Sequence, residues 1–358
     1  MNDEHWIEID GSRGEGGGQM LRSSLALSMV TGRPVAITNV RAGRDKPGLK
    51  RQHLTCVHAA AEISSAKISG DHVGSQFVSF EPKCIAAGTY RFSIGTAGSA
   101  SLVLQTVLPA LMIASTPSQV IVEGGTHNDF APPYEFLKKA YLPLLNRMGP
   151  SIDLSLVHYG FYPIGGGEIR AKISPSESLK PFDLIDRGKI VRRHVTACVA
   201  GLPLHIADRE VDVVRRGLDL QKHETSCEEI PAKSPGNYLW IEMESNLVTE
   251  VITGFGRPQI KAERVARDAL KEAKTYDKAN VPVGVHLADQ WMLPLAISAW
   301  QARQRGETGG GGRFKTLTLS LHAITHLEII ERFLGIHSTV QSLDDDTQMV
   351  SIGTCDPW

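Results

Sequence analysis

The chain has no closely paired cysteines. Cys56, Cys84, Cys198, Cys227 and Cys355 are scattered, with no CxxC spacing. An odd number without close pairs argues against a disulfide scaffold and against a zinc site, and fits a reducing cytoplasm. The chain also lacks any excess of charge. Lys and Arg number 38 against 39 Asp and Glu, a formal net charge of −1. A polyanionic partner is therefore not announced by the whole chain, and any basic site has to be local. Long hydrophobic runs are missing too. The longest, around residues 102–114, is interrupted by Gln105, Thr106 and Pro109. It is too short to cross a bilayer. The opening MNDEHWIEID is acidic and polar, so no signal peptide is expected.

The chain has 358 residues, 42% hydrophobic and 22% charged. That is the composition of a soluble globular protein with room for two domains.

An internal repeat organises it. Three helices open alike, at Gln19-Met-Leu-Arg, Gln105-Thr-Val-Leu-Pro and Gln290-Trp-Met-Leu-Pro. A strand follows each time, at PVAITNV (34–40), SQVIVEG (118–124) and KTLTLSL (315–321). A second helix comes next, at 48–63, 133–148 and 322–334, and then further strands such as 76–82, 167–175 and 347–353. The unit is helix–strand–helix with hairpin strands. Gln19 and Gln105 are 86 residues apart, and Gln105 and Gln290 are 185 apart. The excess implies an insertion before the third unit, at about 184–278. Its pattern of strand (194–202), helix (208–222), strand (237–245) and Ala/Glu/Lys-rich helix (261–275) reads as a small α/β domain. Residues 1–183 and 279–358 then form one large α+β domain of three repeats. GETGGGG (306–312) is a loop within the third.

Four stretches carry chemical potential. WIEIDGSRGEGGGQMLRSS (6–24) reads as strand, glycine loop and helix. Such a loop brings backbone N–H groups and a helix N-terminus to an anion. It is neither a Walker A loop nor GxGxxG, and Glu15 within it is placed to hold a divalent metal beside a phosphate. The bland reading is a tight turn with an exposed glutamate. RAGRDKPGLKRQH (41–53) gathers Arg41, Arg44, Lys46, Lys50 and Arg51 within eleven residues. In a chain without net positive charge this suggests a phosphate-rich partner, against a merely solvated basic loop. Gln52 and His53 add polar groups. VGVHLADQWMLP (283–294) has two readings: Asp289 orients a ribose or an imidazole, or the stretch simply starts a buried helix. Finally, TLTLSLHAITHLEIIERFL (316–334) switches from strand to helix period at His322, with His326 one turn on. The spacing alone leaves three readings open: a structural histidine, a metal pair, or an imidazole nucleophile able to attack phosphorus without losing a proton first.

The successive segments GSRGEGGGQMLRSSLALS, RAGRDKPGLKRQHL, GTAGSASLVLQTVLPAL, GGTHNDFAPP, GFYPIGGGE, HLADQWMLPLA and HAITHLEIIERFL resemble the RNA 3′-terminal phosphate cyclases, in order and over nearly the whole chain. The resemblance implies three units, each a four-stranded sheet with two helices, and a small α/β domain inserted before the last. It implies that His322 is adenylylated by ATP, that AMP passes to an RNA 3′-phosphate, and that the neighbouring 2′-hydroxyl closes a 2′,3′-cyclic phosphate. It assigns Gln105, His286, Leu287, Ala288, Asp289 and Gln290 to ATP. Arg22, Arg41, Arg44, Arg51 and Gln52 go to the RNA phosphates, and Glu15 to a divalent metal, Mg or Mn. Position 286 is His where relatives carry an aromatic residue such as Tyr, and 326 is His where Asn is common. A cytoplasmic enzyme without membrane contact is expected, with the choice between monomer and homodimer open. The rival readings are a non-catalytic cyclase-like protein acting in RNA binding or ribosome assembly, and an enolpyruvyl transferase of similar repeated architecture. The first would lack the active-site histidine, and the second needs no histidine nucleophile and no basic loop.

Overall fold

The structure, a computed structural model, describes residues 6–14, 16–344 and 346–353. Glu15, the expected metal ligand, lies outside the described residues.

The first unit runs β1 (Ile7–Asp10), α1 (Gly18–Thr31), β2 (Val35–Thr38), α2 (Arg51–Ser64), β3 (Lys67–Ser69) and β4 (Val78–Glu81). Its sheet order is β1-β2-β4-β3, with β1 parallel to β2 and the remaining pairs antiparallel. The second unit repeats this. It runs β5 (Thr89–Ser93), α3 (Ala100–Leu111), β6 (Ser118–Gly124), α4 (Tyr134–Phe136), a π turn (Leu137–Tyr141), α5 (Leu142–Arg147), β7 (Ser151–His158) and β8 (Gly167–Ser174). The order β5-β6-β8-β7 has the same sense. The π turn stands just before Pro143, which has no N–H to donate back along the helix.

An insertion follows. It contains β9 (Ile190–Ala200), α6 (His205–Gly217), β10 (Thr225–Glu229), β11 (Gly236–Ser245), β12 (Thr249–Phe255) and α7 (Ala262–Ala279). Its sheet order is β10-β9-β11-β12. Strand side chains alternate faces, and both faces are covered. Val199, Leu239 and Ile241 join a core with Val214, Ala266 and Tyr276 of α6 and α7. Cys198, Tyr238 and Trp240 point the other way, into the core of the repeated units. This double burial explains why Ala197–Ala200 of β9 and Tyr238–Ile241 of β11 are apolar without alternation.

The third unit runs α8 (Val285–Gln304), β13 (Gly312–Leu317), α9 (Leu321–Leu334), β14 (Ser338–Ser342) and β15 (Thr347–Ile352). Its sheet holds three strands, β13-β15-β14, where four were expected. The parallel neighbour of β13 is reduced to two isolated bridges, Leu184 to Phe314 and Val283 to Thr316. The insertion thus leaves the chain and rejoins it two register positions apart on one edge. The strand expected at 315–321 ends at Leu317, and α9 starts at Leu321 because Ser320 caps it, its Oγ accepting from the Ala323 N–H at 3.1 Å. No helix among the described residues is long and apolar enough to cross a membrane.

Candidate active site

The three glutamines that mark the repeat meet in one pocket. Gln19 of α1, Gln105 of α3 and Gln290 of α8 line it together with Arg22, His322 and His326. The Gln105 amide donates to Gln290 Oε1 at 2.5 Å. Four residues after each of these last two glutamines stands a proline, Pro109 or Pro294, inside the helix. Proline removes the N–H that would bond the glutamine carbonyl.

His322 sits in the first turn of α9, where unpaired backbone N–H groups make the surroundings favourable to anions. Its Nε2 lies 3.9 Å from Asp289 Oδ2, and its side chain is 32% exposed, enough to meet a ligand while standing on a rigid base. His326 is buried. Its Nδ1 faces the backbone carbonyl of Asp289 at 3.0 Å, so Nδ1 carries the hydrogen and donates it. Burial, with the charges of His322 and Arg22 behind it, pushes His326 down to about 4. Nε2 therefore keeps its lone pair, buried without a hydrogen-bond partner.

The glycine loop after β1 lies over α9. Gly14 has φ +57°, and a Cβ there would stand 2.1 Å from Thr325 Oγ1. At the start of α1, a Cβ on Gly18 would lie 2.4 Å from His53 Nε2 and 3.0 Å from an Arg22 nitrogen. Both side chains approach the bare backbone because glycine leaves room. α1 has no side-chain cap, so its first N–H groups remain available to an anion. His53 Nδ1 accepts from the Lys50 N–H at 3.3 Å. Burial, then Arg22, Arg41 and Lys50, pushes His53 down to about 3. It stays neutral while the cations around it concentrate positive potential.

The expected phosphate ligands separate in space. Arg22 lines the pocket. Arg44 and Arg51 are exposed on the loop and at the start of α2. Arg41 is buried, with φ +58°, and donates to the carbonyls of Lys46 at 2.9 Å and Gly48 at 2.7 Å. It is the clasp of the basic loop. Gln52 Oε1 accepts from the Ser99 N–H at 2.7 Å and so ties α2 to the cap of α3. Of the expected ATP residues, Gln105, Asp289 and Gln290 are gathered at or beside the pocket. Leu287 and Ala288 are wholly buried in the core. His286 is exposed and stands 3.5 Å from Glu272.

Gln19 was not expected among the site residues, and His326 was singled out beside His322 without an assigned role. The signal for Gln19 was its register with the other two glutamines. Among the described residues no group of three or more His, Cys, Asp or Glu could enclose a metal ion. A hard ion delivered on a polyphosphate needs only one or two carboxylates, the rest coming from phosphate and water.

Comparison with known proteins gives a consistent result. A family model described as RNA 3′-terminal phosphate cyclase matches residues 13–340. Proteins called RNA 3′-terminal phosphate cyclase from Koribacter versatilis and Pseudomonas fluorescens are 46% and 44% identical. The first alignment covers 98% of this chain and 96% of the relative, and the second covers 96% and 97%. A similarly named protein from Ectopseudomonas mendocina is 46% identical over 92% of this chain and 93% of its own. A solved EPSP synthase from Acinetobacter baumannii aligns at 10% identity with a TM-score of 0.25, over 93% of this chain and 62% of that one, too distant to bear on fold or function. The repeated units, the shared pocket and this similarity along nearly the whole chain agree: the protein belongs to the RNA 3′-terminal phosphate cyclase family.

Proposed function

We propose that the protein is an ATP-dependent, AMP-forming RNA 3′-terminal phosphate cyclase that acts through His322. The observation that carries this reading is the position of His322. A partly exposed imidazole at a helix N-terminus shares one pocket with Arg22 and the repeat glutamines, beside the Asp289 carboxylate.

An imidazole nitrogen of His322 attacks the α-phosphorus of ATP. A nitrogen–phosphorus bond forms, the bond to the bridging oxygen breaks, and pyrophosphate leaves. The nucleotide phosphate then sits where the α9 N-terminus favours negative charge. Asp289 offsets the positive charge the ring gains as the bond forms. The 3′-phosphate of RNA displaces the histidine and takes AMP as a mixed anhydride. The 2′-hydroxyl next to it attacks that phosphorus, loses its proton and expels AMP, leaving the 2′,3′-cyclic phosphate. A phosphate monoester has a poor leaving group; AMP supplies a good one, and the attack is intramolecular. Gln105, Asp289 and Gln290 hold the nucleotide, with His286 and the backbone at Leu287 and Ala288 at its margin. Arg22, Arg44, Arg51, Gln52 and the Arg41-clasped loop receive the RNA end. A divalent ion, Mg or Mn, bound at Glu15 would neutralise the triphosphate. Cys56, Cys84, Cys198 and Cys227 are free, which suits a cytoplasmic site of action.

The test is incubation with ATP labelled on the α-phosphate and a divalent metal, without RNA. An acid-labile protein–AMP adduct in the wild type and none in His322→Ala is expected. A labelled His322→Ala would refute the assignment.

A further inference from the structure

Two family-like segments, GGTHNDFAPP and GFYPIGGGE, take no part in the chemistry above, yet they carry two of the most exposed aromatic side chains among the described residues. Phe130 is 94% exposed and Tyr162 is 80% exposed. Phe130 also has φ +61°, a left-handed backbone that a bulky residue adopts only under strain. An apolar ring held in water on a strained backbone calls for an occupant.

The two loops are stitched to each other and to the reaction site. The Thr126 N–H donates to the Gly160 carbonyl at 2.9 Å, and the Gly160 N–H donates back to Thr126 Oγ1 at 2.9 Å. The Asn128 amide donates to the Ala97 carbonyl at 2.6 Å. Gly165 leaves no room for a side chain against the same segment, since a Cβ there would lie 2.8 Å from the Thr96 carbonyl oxygen. Residues 96–99 lead directly into the capped start of α3, where Ser99 meets Gln52, and α3 then lines the pocket through Leu102 and Gln105. Both loops follow the carboxyl end of β6 or pair with it, Gly124 opposite Gly167. They thus stand on the face that carries the helix N-termini of the site. Cations from the insertion accompany them. The Arg257 guanidinium stands 5.5 Å from the Phe130 ring centre while paired with Asp129 at 2.7 Å, and the Lys233 stem lies against Gly166.

From this we infer that Phe130 and Tyr162 form a stacking platform for the RNA nucleotides 5′ of the reacting end, with Lys233 of the insertion beside their phosphates. Flat, sequence-indifferent rings beside cations fit an unpaired strand, whose bases expose π faces and whose backbone is anionic. The insertion then contributes to substrate binding as well as to packing. The inference rests on the RNA reading proposed above.

The test measures binding of fluorescent single-stranded RNAs ending in a 3′-phosphate, one of two nucleotides and one of about eight, the latter long enough to cover such a platform. Phe130→Gly removes the ring and relaxes the left-handed backbone, so the fold is preserved; Tyr162→Leu removes the second ring. Each is expected to weaken the longer RNA about tenfold and the dinucleotide little, and Phe130→Tyr should retain wild-type affinity. Equal affinity of wild type and both variants for the longer RNA overturns the platform, even where the wild type cyclises that RNA. A wild type that binds neither RNA overturns the platform together with the RNA reading.

Discussion

The Gln105 amide donates to the side-chain oxygen of Gln290, 185 residues further on, and so joins the second and third units across the floor of the pocket. Each glutamine satisfies the other only while both helices hold register. A nucleotide that uses either one must work with the pair.

Gln105→Ala and Gln290→Ala should therefore be non-additive. Each single variant leaves a polar group of its partner stranded, so either should slow His322 adenylylation about tenfold, and the double variant should cost little more than one. A double-mutant cycle on adenylylation rates checks this. Fully additive losses would separate the two roles.

Asp289→Asn keeps the size of the side chain and removes its charge beside His322. Adenylylation should slow by about 10²-fold, with ATP affinity changed far less. Single-turnover formation of the protein–AMP adduct separates the two effects.

His326 gives the fold an acid sensitivity. In the unfolded chain it takes a proton near its ordinary 6.5, but in the fold it resists until about 4. Between these values the unfolded state holds more protons, so stability is present above pH 6.5 and is lost as pH falls toward 4, by about 3 kcal/mol. His53, pushed to about 3, adds in the same direction. Denaturant titrations at pH 7 and pH 5 should show the loss, and His326→Asn should reduce it.

Glu250 acts oppositely. Its carboxylate is wholly buried beneath the start of α8, accepting from the Gly284 N–H at 2.7 Å and the Val251 N–H at 3.2 Å, and burial pushes it up to about 8. The fold then holds a proton that the unfolded chain gives up above pH 4.5, so this group's contribution falls as pH rises to 8. Glu250→Gln, neutral at every pH, should make the melting temperature fall less between pH 5 and pH 8 than it does in the wild type.

The sequence made the repeat legible because periodicity and the recurring glutamine with its proline are local signals. SQVIVEG is the strand β6 at both ends. The short strands β3 and β14 escaped because they are largely exposed and carry no apolar alternation. The missing strand of the third unit could not be read, since its two halves lie about a hundred residues apart. Within the site, residue type predicted less than burial did. Arg41 and Arg44 look equivalent in RAGRD, yet only Arg41 turns inward, because its left-handed backbone aims the guanidinium at the loop carbonyls. Leu287 and Ala288 share a motif with Asp289 and Gln290, but the helical period sends them to the core.

The divided edge of the third sheet has a consequence for the order of assembly. Leu184 and Val283 reach β13 from opposite ends of a long excursion, and holding them together costs the entropy of closing that loop unless the excursion has already condensed. A folded insertion brings its two ends together and removes most of that cost. The first two units can form as they leave the ribosome, whereas the third, and His322 with it, has to wait for the insertion. His322 is then set in place last, after every other wall of its pocket has been built.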